Sequence, residues 1–470
     1  MTTRVNQHFA LPLLAAVLAL TVGSAVSQRP GDVRLLVAAV VGAVAIIVAS
    51  TTPASALILV FAALPFLALG RRMLLSFAPW ASVDPLLLVA PAVAIVLLLR
   101  LYVLERRPLA VDSLSKLVLA FLILTVIQAA NPRGGGVAAG AASLLLTADP
   151  LVWFFIGRDL ATPALVRRLL SILIAVACVA ATYGFLQITY GFPSWDEAWI
   201  QARGYTSLNV SGSTRPFAMF SSSAEFATYV SCAIAVCVAA AARRHFIALL
   251  AIPPLAVAMF LQGSRGLVVV VVVGAVVVVA FRSGSPRGAI ATTVVAVAVG
   301  AAALSIYGAA IVQQGNISQS PFVRHQISGL AHPLNSKQST AALHVNALIS
   351  GIRSGITDPF GHGTASVTLA SDTFGATSRS TENDISNVFV ALGLPGGLIF
   401  VAILVSVFRR AGRLALRNRD LNSLSVLGVL IVTSGEWLNG GFWALAPLIW
   451  LLIGHLVAET SRASAEAVPL

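Results

Sequence analysis

Few residues in this chain are equipped for chemistry, and they fall in short, separated stretches. Arg265 heads the run LQGSRGLVVVVVVGAVVVVAF, residues 261–281. Arg215 stands in SGSTRPFAMFSSSAEFATYVSCAIAV, residues 211–236, shortly before Glu225. His344 lies in STAALHVNALISGIRSGITDPFGHGT, which also carries His362, and TSRSTENDISN (377–387) gathers Glu382, Asn383, Asp384 and Asn387. A guanidinium is the side chain best suited to bidentate phosphate recognition, so two arginines at headgroup level suit a diphosphate-bearing lipid. Carboxylates, amides and a histidine near the membrane can supply a general base. Each residue also has a bland reading. Arg265 reads as a snorkelling anchor, and Glu225 as a first-turn residue favoured by the helix dipole, or as the partner of Arg215 or Arg265. Ser221–Ser223 offer helix caps, and 381–384 read as an acidic helix start.

The elements that hold these residues follow from hydropathy. The chain has 470 residues, 58% hydrophobic and 10% charged, with mean hydropathy +0.92. Soluble domains carry about 25% charged residues, so the composition implies an all-α polytopic membrane protein. The apolar runs do not alternate, which excludes a barrel. Candidate spans fall at 9–26, 34–50, 54–70, 86–104, 114–130, 137–156, 169–189, 224–242, 246–262, 266–281, 289–311, 387–408, 421–434 and 441–457, about 12–14 transmembrane helices. The run 9–26 has only Arg4 before it and reads as a retained helix rather than a cleaved signal. No internal repeat of the transporter kind stands out. Cys178, Cys232 and Cys237 lie inside apolar runs, suggesting neither disulfides nor a metal site.

Two polar stretches interrupt the pattern, 190–223 and 312–386. The second holds four of the seven histidines. The expected organisation is N-terminal helices to 189, an extracytoplasmic loop 190–223, helices over 224–311, a long extracytoplasmic loop 312–386 with short helices, helices over 387–457, and a tail 458–470. With this parity both loops share one side. The opposite side collects 18 of the 30 basic residues, including the cluster from Arg409 to Arg419. The positive-inside rule then puts both termini in the cytoplasm of a plasma-membrane protein. Arg71 and Arg72 argue locally against this. The net charge of +13 reads as arginine on cytoplasmic loops and contact with anionic lipid rather than as a nucleic-acid site. Only Lys116 and Lys337 are lysine, and this arginine excess fits a high-GC genome as well as phosphate binding.

There is no phosphate-binding glycine loop, no HExxH, no CxxC pair and no DxD pair, so no cofactor or metal is expected. Taken in order, STRPFAMFSSSAEFATYVSCA, QGSRGLVVVV, LHVNALISGIRSGITDPFGHGTA and TENDISNVFVALGLPGGLIF resemble the O-antigen ligase and polymerase family of bacterial membrane glycosyltransferases. The shared features are Arg215 before a span, Ser264–Arg265–Gly266 opening another, the turn Pro359–Phe360–Gly361–His362–Gly363, and Gly393–Leu394–Pro395–Gly396 after re-entry. The resemblance covers about 210–405, less than half of the chain, and each motif is short.

This resemblance implies a glycosyltransferase C-type membrane fold acting on an undecaprenyl-diphosphate-linked glycan at the outer face of the plasma membrane. It implies Arg215 and Arg265 as diphosphate ligands and His344, Glu382 and Asp384 as catalytic candidates. Glu225, Arg324, His362, Asn383 and Asn387 would support them. Gly266, lacking a side chain, is expected to let the helix start approach a neighbour or ligand closely. Family ligases commonly place a His beside an Asn before the re-entry span. Here Glu382–Asn383–Asp384 stands there, which looks more like the polymerases of exopolysaccharide and O-antigen. Polymerisation of lipid-linked repeat units is therefore expected, with a chain-length regulator and a flippase as partners. A ligase acting on another acceptor is the alternative. A flippase or carrier is the rival of another class, but such proteins place charge at mid-membrane, whereas polar groups here collect at one face. A peptidoglycan polymerase of the shape–elongation–division type shares the lipid carrier, but its re-entry motifs are not seen.

Overall fold

The computed structural model describes residues 33–79, 84–109, 112–205, 208–282, 285–313, 320–331, 341–375, 377–381, 383–438 and 442–465. They are overwhelmingly helical. The helices are α1 (Val33–Thr51), α2 (Pro53–Ser76), α3 (Pro85–Leu104), α4 (Ser113–Ala129), α5 (Val137–Leu160) and α6 (Pro163–Tyr190). A short α7 (Ser194–Arg203) and a hairpin of β1 (Asn209–Val210) and β2 (Ser213–Thr214) follow. Then come α8 (Ser223–Ala242), α9 (Phe246–Leu261), α10 (Arg265–Phe281), α11 (Pro286–Gln313), α12 (Pro321–Ala331), α13 (Ala341–Thr357) and α14 (Leu369–Phe374). The last are α15 (Asp384–Asn418), α16 (Leu421–Val432) and α17 (Ala446–Ala465).

Every expected span except the first falls on a helix, and 9–26 lies outside the described residues. Among the described residues, seven helices are both long and apolar enough to cross a membrane: α1, α2, α3, α5, α6, α8 and α15. α4, α9, α10, α16 and the start of α11 are shorter apolar helices. Helices outrun the apolar windows because polar residues cap and continue them. Asp112, Thr162, Ser222 and Asp420 each accept a backbone N–H from the first turn of the helix they precede. α15 continues through its arginines to Asn418.

Glycines set the closest helix contacts. α5 and α17 lie so near each other that a Cβ at Gly157 would strike the Leu451 backbone, and one at Gly454 the Phe154 carbonyl. Such small-residue contacts let dispersion hold helices together in lipid. The bundle has two polar ends. At one, Arg158 donates to the carbonyls of Pro108 and Leu109, and Tyr102 donates to Asp159 (2.6 Å). There too Arg410 meets Asp112 (3.3 Å) and Thr460 (3.0 Å), and Asn422 donates to the Pro163 carbonyl. The other end carries α7, the hairpin, α12, α13, the 359–363 turn and α14.

Arg71 and Arg72 belong to this second end. Arg71 and Arg34 both hold the Asp84 carboxylate, at 3.1 and 2.7 Å. Arg72 pairs with Asp196 at 2.7 Å and donates to the carbonyls of Ala218 and Phe220. Its guanidinium also lies 4.7 Å from the Phe217 ring centroid, a cation–π contact. All of these charges are buried, so they are neutralised in the protein rather than presented to the membrane surface.

Candidate functional site

At the loop-bearing end, a cleft of about 710 Å³ opens between α2, α5, α7, α14 and the segment at Phe442–Trp443 that precedes α17. That size lies within the range of ligand cavities, about 300–1,000 Å³. Its wall carries Arg71 and Asp84, the exposed Arg203 and Asp372, hydroxyls such as Ser221 and Thr373, and the aromatic groups Tyr205 and Trp443. Two arginines and two carboxylates among these charges leave the lining nearly balanced. Tyr205 is held in place by packing on Trp199, with centroids 5.3 Å apart.

A smaller cavity of about 60 Å³ adjoins the cleft and shares Val367, Thr368 and Ser380 with it. Asp384 and Asn387 line it. Asp384 is buried. Its N–H donates to the Gly435 carbonyl (2.9 Å), and its Oδ2 accepts the Leu438 N–H (2.7 Å). Glu436 lies between those two contacts and interacts electrostatically with Asp384. Asn387 accepts both the N–H and the hydroxyl of Thr381, at 2.7 and 2.9 Å. Asn383 caps α15 by accepting the Ile385 N–H.

The two arginines expected to bind a diphosphate meet at one turn. Arg215, just past β2, donates from Nε to the Gln262 carbonyl (2.8 Å). Gln262 in turn donates to the Pro216 carbonyl (2.6 Å). The QGSR turn thus carries Arg215 on its backbone and Arg265 three residues on. Arg265 reaches the His325 carbonyl at 3.5 Å, which brings α12 and the exposed Arg324 to the same place. Burial and the neighbouring Arg265 hold the His325 imidazole below its ordinary pKa, so it is neutral near pH 7. Neither arginine lines the cleft. Residues 215–222 connect the two regions, since Ser221 and Ser222 lie in the cleft wall.

Other candidates are placed differently. Glu225 is buried, but its carboxylate accepts from the Ser221 hydroxyl (2.7 Å), the Ser221 N–H (3.3 Å) and the Ala444 N–H (2.9 Å). The expected pairing with Arg215 or Arg265 does not occur, because these nearer donors satisfy it. His344 is exposed on α13 and lines neither cavity. Glu382 lies outside the described residues. His362 sits in the 359–363 turn, 3.8 Å from Asp358. At Gly266 a Cβ would meet nothing within 4 Å among the described residues, so the close approach of a protein neighbour is not seen there.

That close approach occurs instead between two other motifs. The 359–363 turn docks onto the break in α15 at Gly393, where φ is +67°. His362 N–H donates to the Val390 carbonyl and Gly363 N–H to the Ala391 carbonyl, both at 2.9 Å. A Cβ at Gly361 would lie 2.5 Å from the Ala391 oxygen.

Reading the sequence missed Asp84, Arg203, Asp372, Glu436 and Trp443. Asp84–Pro85 and Arg71–Arg72 carried a signal as charges beside spans, but only long-range contacts show that they meet. Comparison with protein-family models and with curated proteins finds no match to this chain.

Proposed function

We propose that this protein transfers a glycan from an undecaprenyl-diphosphate carrier at the outer face of the plasma membrane, polymerising lipid-linked repeat units. The observation that carries this reading is the convergence of Arg215 and Arg265 on the QGSR turn at the loop-bearing end. Two guanidiniums there suit a diphosphate and favour its departure as charge develops on the leaving oxygen. In the proposed reaction an acceptor hydroxyl attacks the anomeric carbon from the face opposite the diphosphate. The new C–O bond forms as the old one breaks, the configuration inverts, and undecaprenyl diphosphate leaves. The hydroxyl proton passes to a carboxylate of the re-entry segment. In this reading Asp384, which lines the cavity joined to the cleft, takes that proton. The cleft, nearly charge-balanced and rich in hydroxyls, suits the glycan rather than the diphosphate.

The test is an assay of purified protein in vesicles with an undecaprenyl-diphosphate oligosaccharide. Transfer releases undecaprenyl diphosphate and lengthens the glycan. Arg215→Ala and Arg265→Ala are expected to lower turnover at least 100-fold while gel-filtration profiles stay unchanged. Wild-type polymer from both variants would sink this reading. Lipid translocation without release would make the protein a transporter, and transfer to a different acceptor would make it a ligase.

A further inference from the structure

The charges of the cleft balance in number but not in position. Arg34 and Arg71 both hold the Asp84 carboxylate, at 2.7 and 3.1 Å. Arg203, in the last turn of α7, lines the same cleft and lies near enough to Arg71 for the two charges to interact. α7 is fixed against the end of α2 by the Arg72–Asp196 pair. Asp372 stands apart on α14, and no ion pair joins it to an arginine among the described residues. One wall therefore gathers three guanidiniums about one carboxylate among the described residues. Like charges held close repel one another, and a bound anion removes that repulsion.

Several other polar groups of the lining are already used. Thr368 and Thr373 donate to carbonyls of their own segment. Ser221 donates to Glu225, and Ser222 caps α8. Two side-chain nitrogen groups differ. Among the described residues, neither the Arg203 guanidinium nor the Trp443 indole N–H has a hydrogen-bond or ion-pair partner. Each comes with an aromatic face. Trp443 is half-buried, so part of its ring is open to the cleft it lines. Tyr205 follows Arg203 through the left-handed turn at Gly204, where φ is +61°. The Tyr205 ring packs on Trp199, and its hydroxyl accepts the Ser223 N–H (3.2 Å), so the ring is held at both ends. The slightly positive C–H groups of a sugar ring suit the negative face of an aromatic ring. Apolar and aromatic walls with a few directed polar groups are the makeup of a small-ligand site. A carboxylate answers one guanidinium with two parallel hydrogen bonds.

We infer that the cleft selects a glycan bearing a carboxylate. Arg203 holds that carboxylate, the sugar that carries it lies against Tyr205, and a neighbouring sugar lies against Trp443. This rests on the proposed reading of the cleft as a glycan site, but it can be tested without the reaction. Full-length protein in lipid nanodiscs is titrated calorimetrically with a trisaccharide of galacturonic acid and with its methyl ester, which keeps the shape and removes the charge. A glucuronate-containing oligosaccharide and its methyl ester form a second pair. At low salt at least one acid should bind at least tenfold more tightly than its ester. Arg203→Ala should abolish that preference, and Arg203→Lys, a point charge without the fork, should keep part of it. Trp443→Ala should weaken acid and ester alike. Arg203 is exposed, so its variants should keep the wild-type gel-filtration profile. Equal binding of both acids and their esters, binding of neither, or a preference that survives Arg203→Ala would overturn the inference. The transfer assay separates it from the reaction. An acid preference without released undecaprenyl diphosphate would keep the glycan site and discard the reaction. Transfer of neutral and acidic repeat units at equal rates would keep the reaction and discard the selection.

Discussion

Gly361 is where one side chain's absence matters most. Its φ is +68°, and a Cβ would sit 2.5 Å from the Ala391 oxygen and 2.6 Å from the Gly393 nitrogen. Gly361→Ala combines left-handed strain with a clash against backbone that cannot move aside. A loss of about 3 kcal/mol or more is expected, read as a clear drop in unfolding temperature in detergent. Gly266→Ala is the contrasting case, since nothing lies within 4 Å and alanine favours a helix over glycine by about 0.5–1 kcal/mol. Its stability should hold or rise slightly. Equal losses in the two variants would refute the close docking of the 359–363 turn on α15. Both glycines belong to short motifs visible in the sequence, but the sequence does not say which one is pressed against backbone.

At the scale of elements, Asp84 fastens α1, α2 and α3 together. One buried carboxylate holds Arg34 and Arg71, and its other oxygen accepts the Leu86 N–H that starts α3. Removing one partner of a buried ion pair leaves uncompensated charge and costs about 3–5 kcal/mol. Asp84→Asn should lower stability by that order in chemical or thermal unfolding. Asp358→Asn removes a pair with Arg133, whose side chain is 57% exposed. Solvent screening limits that loss to about 1 kcal/mol or less. If the two substitutions cost the same, the Asp84 cluster is not the buried fastening described here.

The whole molecule has one end crowded with arginine and another carrying the cleft, the arginine turn and α13. By the positive-inside rule the arginine end is expected in the cytoplasm. Alkaline phosphatase fused after Gly375 should be exported and active, whereas fusions after Arg419 or Leu470 should be inactive. The reverse pattern would invert the orientation and move the cleft to the cytoplasmic face. Arg71 and Arg72, which as free charges would count against this orientation, do not, because Asp84 and Asp196 neutralise them inside the protein.

The sequence by itself determined that the chain is a bundle of apolar helices and where nearly every apolar helix lies. Those are properties of local composition, since each helix satisfies its own backbone hydrogen bonds and needs only apolar length to sit in lipid. It also singled out Arg215 and Arg265, and the contact of Arg215 with the QGSR turn brings them to one place. Tertiary structure alone decided the rest. It gave the Glu225 carboxylate to Ser221 and Ala444 instead of an arginine, left His344 outside both cavities, and brought Asp384 beside Glu436. It also packed the helix at 341–357, one of the short helices expected within the long loop, against α15. Each of these depends on which residues distant in sequence come within a few ångströms, and helical periodicity carries no record of that.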